Sequence, residues 1–355
     1  MDNSKTGEEQ MNKLIKKENI KLWLNEIIKK YKVIAPYKLE TGDFGFKPIS
    51  NADEITLDYI NPVISPVKQI LFPAREVMLH YKKKGDSWEV ELPKETDEKV
   101  VLFGIRSCDL SAMLFLDKFF MEGFVDNYYK SRRDNLITVN ITCTEPADWC
   151  FCVCADCGPS KEEGFDLQLT EINDNYLVEI GSPAGKELVN IDYFKEAEES
   201  NLKEKERLVE ETKNNKFKMP TTYFSKAIQN ITANSIDKEL WDKLGGRCLG
   251  CGSCSFVCPT CSCFNVIDEG EDSKGKRVRS WDSCMYCGFT RETSGYNPRK
   301  APGDRVKRRY YHKLSYYYLT KMGSCGCVGC GRCIVSCLGG IDMPMVVKAV
   351  RRGKV

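Results

Sequence analysis

Cys248, Cys251, Cys254 and Cys258 stand at C-x2-C-x2-C-x3-C spacing and are followed by Pro259. A tight loop of this spacing aims thiolates at one [4Fe-4S] cube. Cys327, Cys330, Cys333 and Cys337 repeat the spacing, with Leu338 in place of the proline. Duplication of so demanding a pattern predicts two cubanes. In two-cluster runs of this kind the fourth cysteine serves the other cube. Cys248, Cys251, Cys254 and Cys337 are therefore expected around one cluster, and Cys327, Cys330, Cys333 and Cys258 around the other. Structural zinc, as in a zinc-binding interaction module, is the competing use of paired C-x2-C knuckles. It takes two pairs, and these are two runs of four.

A third group precedes these runs. Val100 to Ile105 and Leu136 to Ile141 are β-rich apolar stretches flanking a helical one, Asp109 to Phe120, with Asp109 as the expected cap. That order is a βαβ unit. If its strands are parallel neighbours, Cys108 after the first and Cys143 after the second meet at the carboxyl edge of one sheet. Cys150 and Cys152 follow in a loop-like stretch, so Cys108, Cys143, Cys150 and Cys152 are the candidate ligands of a third [4Fe-4S] cluster. The competing reading is that they are small buried hydrophobes. Cys154 or Cys157 could replace one of the four or hold zinc, and the roles of Cys261, Cys263, Cys284, Cys287 and Cys325 stay open.

The elements that would position these thiols form an α+β chain. An α/β domain with the cysteine-bearing βαβ unit is expected over 1–190. Within it Met11 to Tyr31 reads as an amphipathic helix, Pro36 to Pro93 as short strands and loops, and Asn173-Asp174-Asn175 as the turn of a closing hairpin. Residues 191–219, rich in Glu, Lys and Asn, read as an exposed helix or mobile linker. From Pro220 onward, 220–355, a mainly helical ferredoxin-like domain with two clusters is expected, its tyrosines and Trp281 lying in helices around the cubes.

Composition narrows the function. Nineteen cysteines in a chain that opens with polar Met1-Asp2-Asn3-Ser4-Lys5 fit metal binding in a reducing, cytoplasmic setting better than a disulfide framework. No apolar run approaches the roughly 18 residues of a membrane span. With only His80 and His312, zinc hydrolase or Cys-His chemistry is disfavoured. Lys and Arg total 53 against 51 for Asp and Glu, so no global field selects nucleic acid. The basic run Arg305-Val306-Lys307-Arg308-Arg309-Tyr310-Tyr311-His312-Lys313 reads most simply as a solvated helix face, or else as a patch that neutralises anionic cubes or receives an acidic partner. No G-x-G-x-x-G follows a strand and no phosphate-binding loop appears. The chain reads as a conductor of electrons with no complete active site of its own.

Taken together, Arg106-Ser107-Cys108-Asp109 with Leu116-Asp117, Tyr128-Tyr129, Arg132-Arg133, Cys143, Cys150-Phe151-Cys152, Gly164-Phe165-Asp166, Cys258-Pro259-Thr260-Cys261-Ser262-Cys263, Trp281-Asp282-Ser283-Cys284, His312-Lys313 and Cys327-Val328-Gly329-Cys330-Gly331-Arg332-Cys333 resemble a known family over most of the chain. It is the family of the iron-sulfur subunit of anaerobic sulfite reductase and the beta subunit of cytoplasmic sulfhydrogenases. Cys284-Met285, Gly288-Phe289 and Pro302-Gly303-Asp304-Arg305 look closer to the sulfite reductase branch. The resemblance implies electron transfer from an NADH-oxidising flavin and [2Fe-2S] subunit to a sirohaem subunit that reduces sulfite to sulfide. The alternative catalytic partner is the nickel-iron subunit of a hydrogenase or sulfur reductase. It also supports Cys108, Cys143, Cys150 and Cys152 as a ligand set, in which Cys261, Cys263 and Cys284 could share. Cys154, Cys157, Cys287 and Cys325 depart from the family pattern and leave the cluster count open.

Overall fold

A computed structural model describes residues 12–59, 65–94, 97–219 and 222–353. The first residues of the chain, Met11 and Pro220 lie outside this set. Twelve strands are found among the described residues: β1 (Lys13–Lys16), β2 (Lys32–Lys38), β3 (Phe44–Ile49), β4 (Arg75–Lys84), β5 (Ser87–Glu91), β6 (Val100–Arg106), β7 (Leu136–Ile141), β8 (Leu167–Ile172), β9 (Asn175–Ile180), β10 (Phe194–Glu196), β11 (Phe264–Glu271) and β12 (Lys274–Trp281). Eight form one mixed sheet in the order β10-β1-β9-β8-β7-β6-β2-β3. Its centre, β2-β6-β7-β8, is parallel.

The expected βαβ unit is present as β6, the helix Ser107–Met121 and β7. Both strands are buried on two faces. Val101, Phe103 and Val139 pack with Trp23 and Leu24 on one side, while Leu102 and Ile105 pack with Leu110, Met113 and Leu116 of the helix on the other. A register shift between Phe103 and Ile105 lets residues of odd number face opposite sides, as a bulge does. Gly104 supplies it: its φ is +84° and a Cβ would meet the Pro36 ring at 3.0 Å. The bulge sits two residues before Arg106 and aims the chain into the cysteine-bearing helix.

Three readings of local structure change. Asp109 is not the cap; the helix starts at Ser107, and Asp109 lies buried in its first turn, held there by an ion pair described below. Leu14 and Ile15 belong to β1, not to a helix, because β1 fills the gap between β9 and β10; the helix is Ile20–Ile28. Residues 191–219 contain β10, which pairs with β1, and the helix Glu199–Glu211, whose Lys205 bonds Glu179 of β9 at 2.6 Å.

The cysteine-rich half contains short helices around a core of Trp241, Leu244, Val306, Tyr310, Val346 and Val347, together with the β11–β12 hairpin. That hairpin joins β4 and β5 in a second, antiparallel sheet of order β11-β12-β4-β5. The two halves thus share a sheet. The expected helical setting of Trp281 changes too: it ends β12, whose antiparallel partners are β11 and β4, and donates from its indole nitrogen to the Phe72 carbonyl at 3.0 Å. Arg279, buried, binds Glu76 at 2.7 Å and also Asp126.

Candidate metal centres

The two cysteine runs have the same backbone design. In Cys248-Leu249-Gly250-Cys251-Gly252 and Cys327-Val328-Gly329-Cys330-Gly331, glycines recur at matching positions with φ of +64°, +75°, +66° and +74°. Left-handed backbone at these points curls each loop so that its thiols face inward. The Gly250 N–H donates to Cys248 Sγ at 3.4 Å, and Gly329 makes the matching bond to Cys327. Each run ends in a short helix, Ser253–Phe256 or Arg332–Ser336.

The structure brings the thiols into three neighbouring groups. Cys248, Cys251, Cys254 and Cys337 line one cavity, with Met285, Tyr310 and Ile341 as its apolar walls. Cys327, Cys330 and Cys333 each lie within electrostatic reach of Cys258. In the third group, Cys152 neighbours Cys150, Cys143 and Cys157, and Cys108 neighbours Cys152. Cys330 borders this group through Cys108, Cys150 and Cys152. Among the described residues no three His, Cys, Asp or Glu side chains converge tightly enough for a single metal ion. Neighbouring sulfur-only donors, which in the first group line a cavity, fit a multi-iron cluster, whose irons lie between the thiolates.

Burial works against the thiolate that iron requires. It pushes Cys150 and Cys333 up to about 12 and raises Cys108 strongly. Buried cations oppose this. The helix Pro302–Leu314 turns Arg305, Arg309 and Lys313, four residues apart, onto one buried face. Lys313 Nζ lies 3.3 Å from Cys258 Sγ and 2.5 Å from Thr260 Oγ1. Arg309 donates to the Cys254 carbonyl at 2.9 Å and lies 3.7 Å from Cys261 Sγ. A hydrogen bond from Cys261, with Lys313 and Arg309, holds Cys258 well below the usual thiol range despite burial. The basic run is therefore not simply a solvated face: Arg309 and Lys313 on its inner edge are counter-charge for thiolates, while Arg305 binds the Arg299 and Lys300 carbonyls.

Two further cations pin the halves together at the thiols. Arg332, inside the second run, binds Asp109 of the cysteine-bearing helix at 2.8 Å, with side chains 1% and 2% exposed. Lys68 donates to the Cys261 carbonyl at 2.8 Å and the Ser255 carbonyl at 3.2 Å, and sits 4.2 Å over the Trp281 ring. The Phe151 N–H donates to the Gly329 carbonyl at 2.8 Å, so the loop of Cys150 and Cys152 docks directly on the second run.

Residues 247–341 match the family of 4Fe-4S dicluster domains. Over 313 residues, 87% of this chain and 90% of the relative, the sequence is 34% identical to Sulfhydrogenase 2 subunit beta of Pyrococcus furiosus. The chain belongs to the sulfhydrogenase beta-subunit family. It carries [4Fe-4S] clusters and is an iron-sulfur electron-transfer subunit of a sulfhydrogenase-like oxidoreductase. No solved structure matches it.

Within this family member the remaining thiols scatter around the groups. Cys157 is buried beside Cys152, its N–H donating to the Cys152 carbonyl at 3.1 Å. Cys325 neighbours Cys157, Cys154 faces the Met219 carbonyl at 3.7 Å, and Cys287 is exposed. Cys261, Cys263 and Cys284 line a separate cavity with Arg309 and Lys313. Lys68 and Arg332 were missed as site residues. Arg309 and Lys313 lie in the basic run whose second reading was neutralisation of the cubes, and their signal was a four-residue repeat of cations on a helix beside cysteine runs. No helix of the described residues is long and apolar enough to cross a membrane.

Proposed function

We propose that the chain relays electrons through three [4Fe-4S] clusters held by Cys248, Cys251, Cys254 and Cys337, by Cys258, Cys327, Cys330 and Cys333, and by Cys108, Cys143, Cys150 and Cys152. Bound there, such clusters supply one-electron chemistry. The observation that carries the reading is contiguity. Cys254 neighbours Cys258, and Cys330 neighbours Cys108, Cys150 and Cys152, so the three groups form one line. The protein residues hold thiolate charge, exclude water and lock the two halves. Arg309 and Lys313 compensate the ligand charge at the two ferredoxin-type groups. Arg332 and Asp109 fix the joint between the second and third.

In this reading a flavin and [2Fe-2S] subunit that oxidises NADH stands at one end of the line, and at the other end stands a catalytic subunit. The kinship with a sulfhydrogenase beta subunit favours a hydrogenase or sulfur-reducing partner containing nickel and iron. A sirohaem partner that reduces sulfite is the second reading, favoured by Cys284-Met285, Gly288-Phe289 and Pro302-Gly303-Asp304-Arg305. Anaerobic native purification with metal analysis and visible spectra of the co-eluting chains separates them. Nickel in the complex is the expected result. Sirohaem absorbance without nickel would move the chain to the sulfite-reducing branch, and a complex with neither would remove both partners.

A further inference from the structure

Cys263 and Cys284 stand outside the twelve thiols assigned above. Their thiols hydrogen-bond each other, as Cys261 does to Cys258, but here neither partner belongs to an assigned group. The hairpin makes this contact. Cys263 directly precedes β11 and Cys284 follows β12, Phe264 pairs with Trp281, and the Asp282 N–H donates to the Cys263 carbonyl at 3.0 Å. Cys284 Sγ is 4.0 Å from Ser255 Oγ and within electrostatic reach of Cys254 of the first group.

The pair opens on a cavity of about 150 Å³. Its lining carries Lys118, Arg309, Lys313 and Lys321 against a single carboxylate, Glu122. Arg309 and Lys313 are buried and also serve the Cys258 thiolate, so Lys118 and Lys321 are the cations left for a bound anion. Two thiols in mutual contact, beside a source of single electrons and under a cationic cavity, are arranged for two-electron sulfur chemistry.

We propose that Cys263 and Cys284 form a redox-active dithiol and disulfide couple that takes electrons from the relay and reduces a small anionic disulfide bound in this cavity. One thiolate attacks a sulfur of R–S–S–R and releases R–S⁻, giving a mixed disulfide. The second thiolate then displaces the other R–S⁻ and closes the Cys263–Cys284 disulfide. Two electrons from the relay and two protons reopen it to the dithiol. The net change is R–S–S–R plus two electrons and two protons to two R–SH. The inference rests on the relay reading for its electrons.

The test uses the full chain, purified anaerobically with its iron, and 3,3′-dithiodipropionate as the anionic disulfide. Differential alkylation with mass spectrometry is expected to find Cys263 linked to Cys284 after the probe and both thiols free after dithionite. Cys284→Ser should keep its iron and its electron paramagnetic resonance signals while probe reduction falls about tenfold or more. Lys321→Gln, away from the thiols, should raise the KM for the dianion severalfold and leave the dithiol switch intact. Loss of about four iron atoms per chain in Cys284→Ser would make it a cluster ligand and overturn the proposal. So would full iron with no Cys263–Cys284 disulfide after the probe. A wild-type chain lacking iron would instead overturn the relay reading and remove the electron source.

Discussion

The first and second cysteine runs share spacing, left-handed glycines and N–H to sulfur bonds, yet they sit in opposite surroundings. The first is at the surface: Cys251 is exposed, and Leu249 and Leu338 beside it are 67% and 88% exposed. In the second, Gly326 through Arg332 is buried, pressed against the loop of Cys150 and Cys152. A Cβ on Gly329 would meet Cys152 Cα at 2.5 Å, and one on Gly331 would meet the Trp149 carbonyl at 2.4 Å. In the proposed relay the open run would suit exchange with a partner, and the enclosed run exchange inside the chain.

The sharpest contrast concerns the residue before the third cysteine of each run. Arg332→Leu would strip Asp109 of its buried partner and is expected to cost about 3–5 kcal/mol, whereas Ser253→Ala at the equivalent position should cost about 0.5 kcal/mol or less. Anaerobic denaturant titration measures both, and equal losses would break the comparison. The glycines give the next contrast. Gly329→Ala adds a clash to left-handed strain and should cost about 3 kcal/mol or more. For Gly250→Ala the nearest atom is Met285 O at 3.9 Å, so only the strain of about 1–2 kcal/mol applies.

Charge should separate the runs by potential. Lys313→Gln removes the ammonium 3.3 Å from Cys258, which favours the less negative, oxidised cluster. The potential of that cluster should fall on the order of 100 mV, with a smaller shift at the surface run, in a redox titration followed by paramagnetic resonance. Equal shifts would show that Lys313 does not discriminate between them.

The smallest expected effect is on pH dependence. Burial, then Lys313 and Arg308, lower His312 to about 4 from the ordinary 6.5. A histidine depressed on folding contributes stability above about pH 6.5 that is lost as pH falls toward 4. His312→Gln should flatten that part of the stability profile, and an unchanged slope would assign it to other groups.

Much of this was legible in the sequence because it is local. The cysteine spacing, the βαβ order and the Asn173 turn each depend on a few consecutive residues. The hairpin's partner was not legible: β12 pairs with β4, about 200 residues earlier in the chain, and nothing in the pattern of Lys274–Trp281 names β4 as its neighbour. Buried cations were hidden for a related reason. Lys68 and Arg332 look like ordinary surface charges until tertiary packing closes over them, and Asp109 looks like a helix cap until Arg332 is placed beside it.

The most direct test of the account is the iron and acid-labile sulfide content of the anaerobically purified chain, read with its paramagnetic resonance after dithionite reduction. Three groups of four thiols predict about twelve iron atoms per chain and interacting signals from neighbouring reduced clusters. A colourless, zinc-loaded chain without such signals would contradict it.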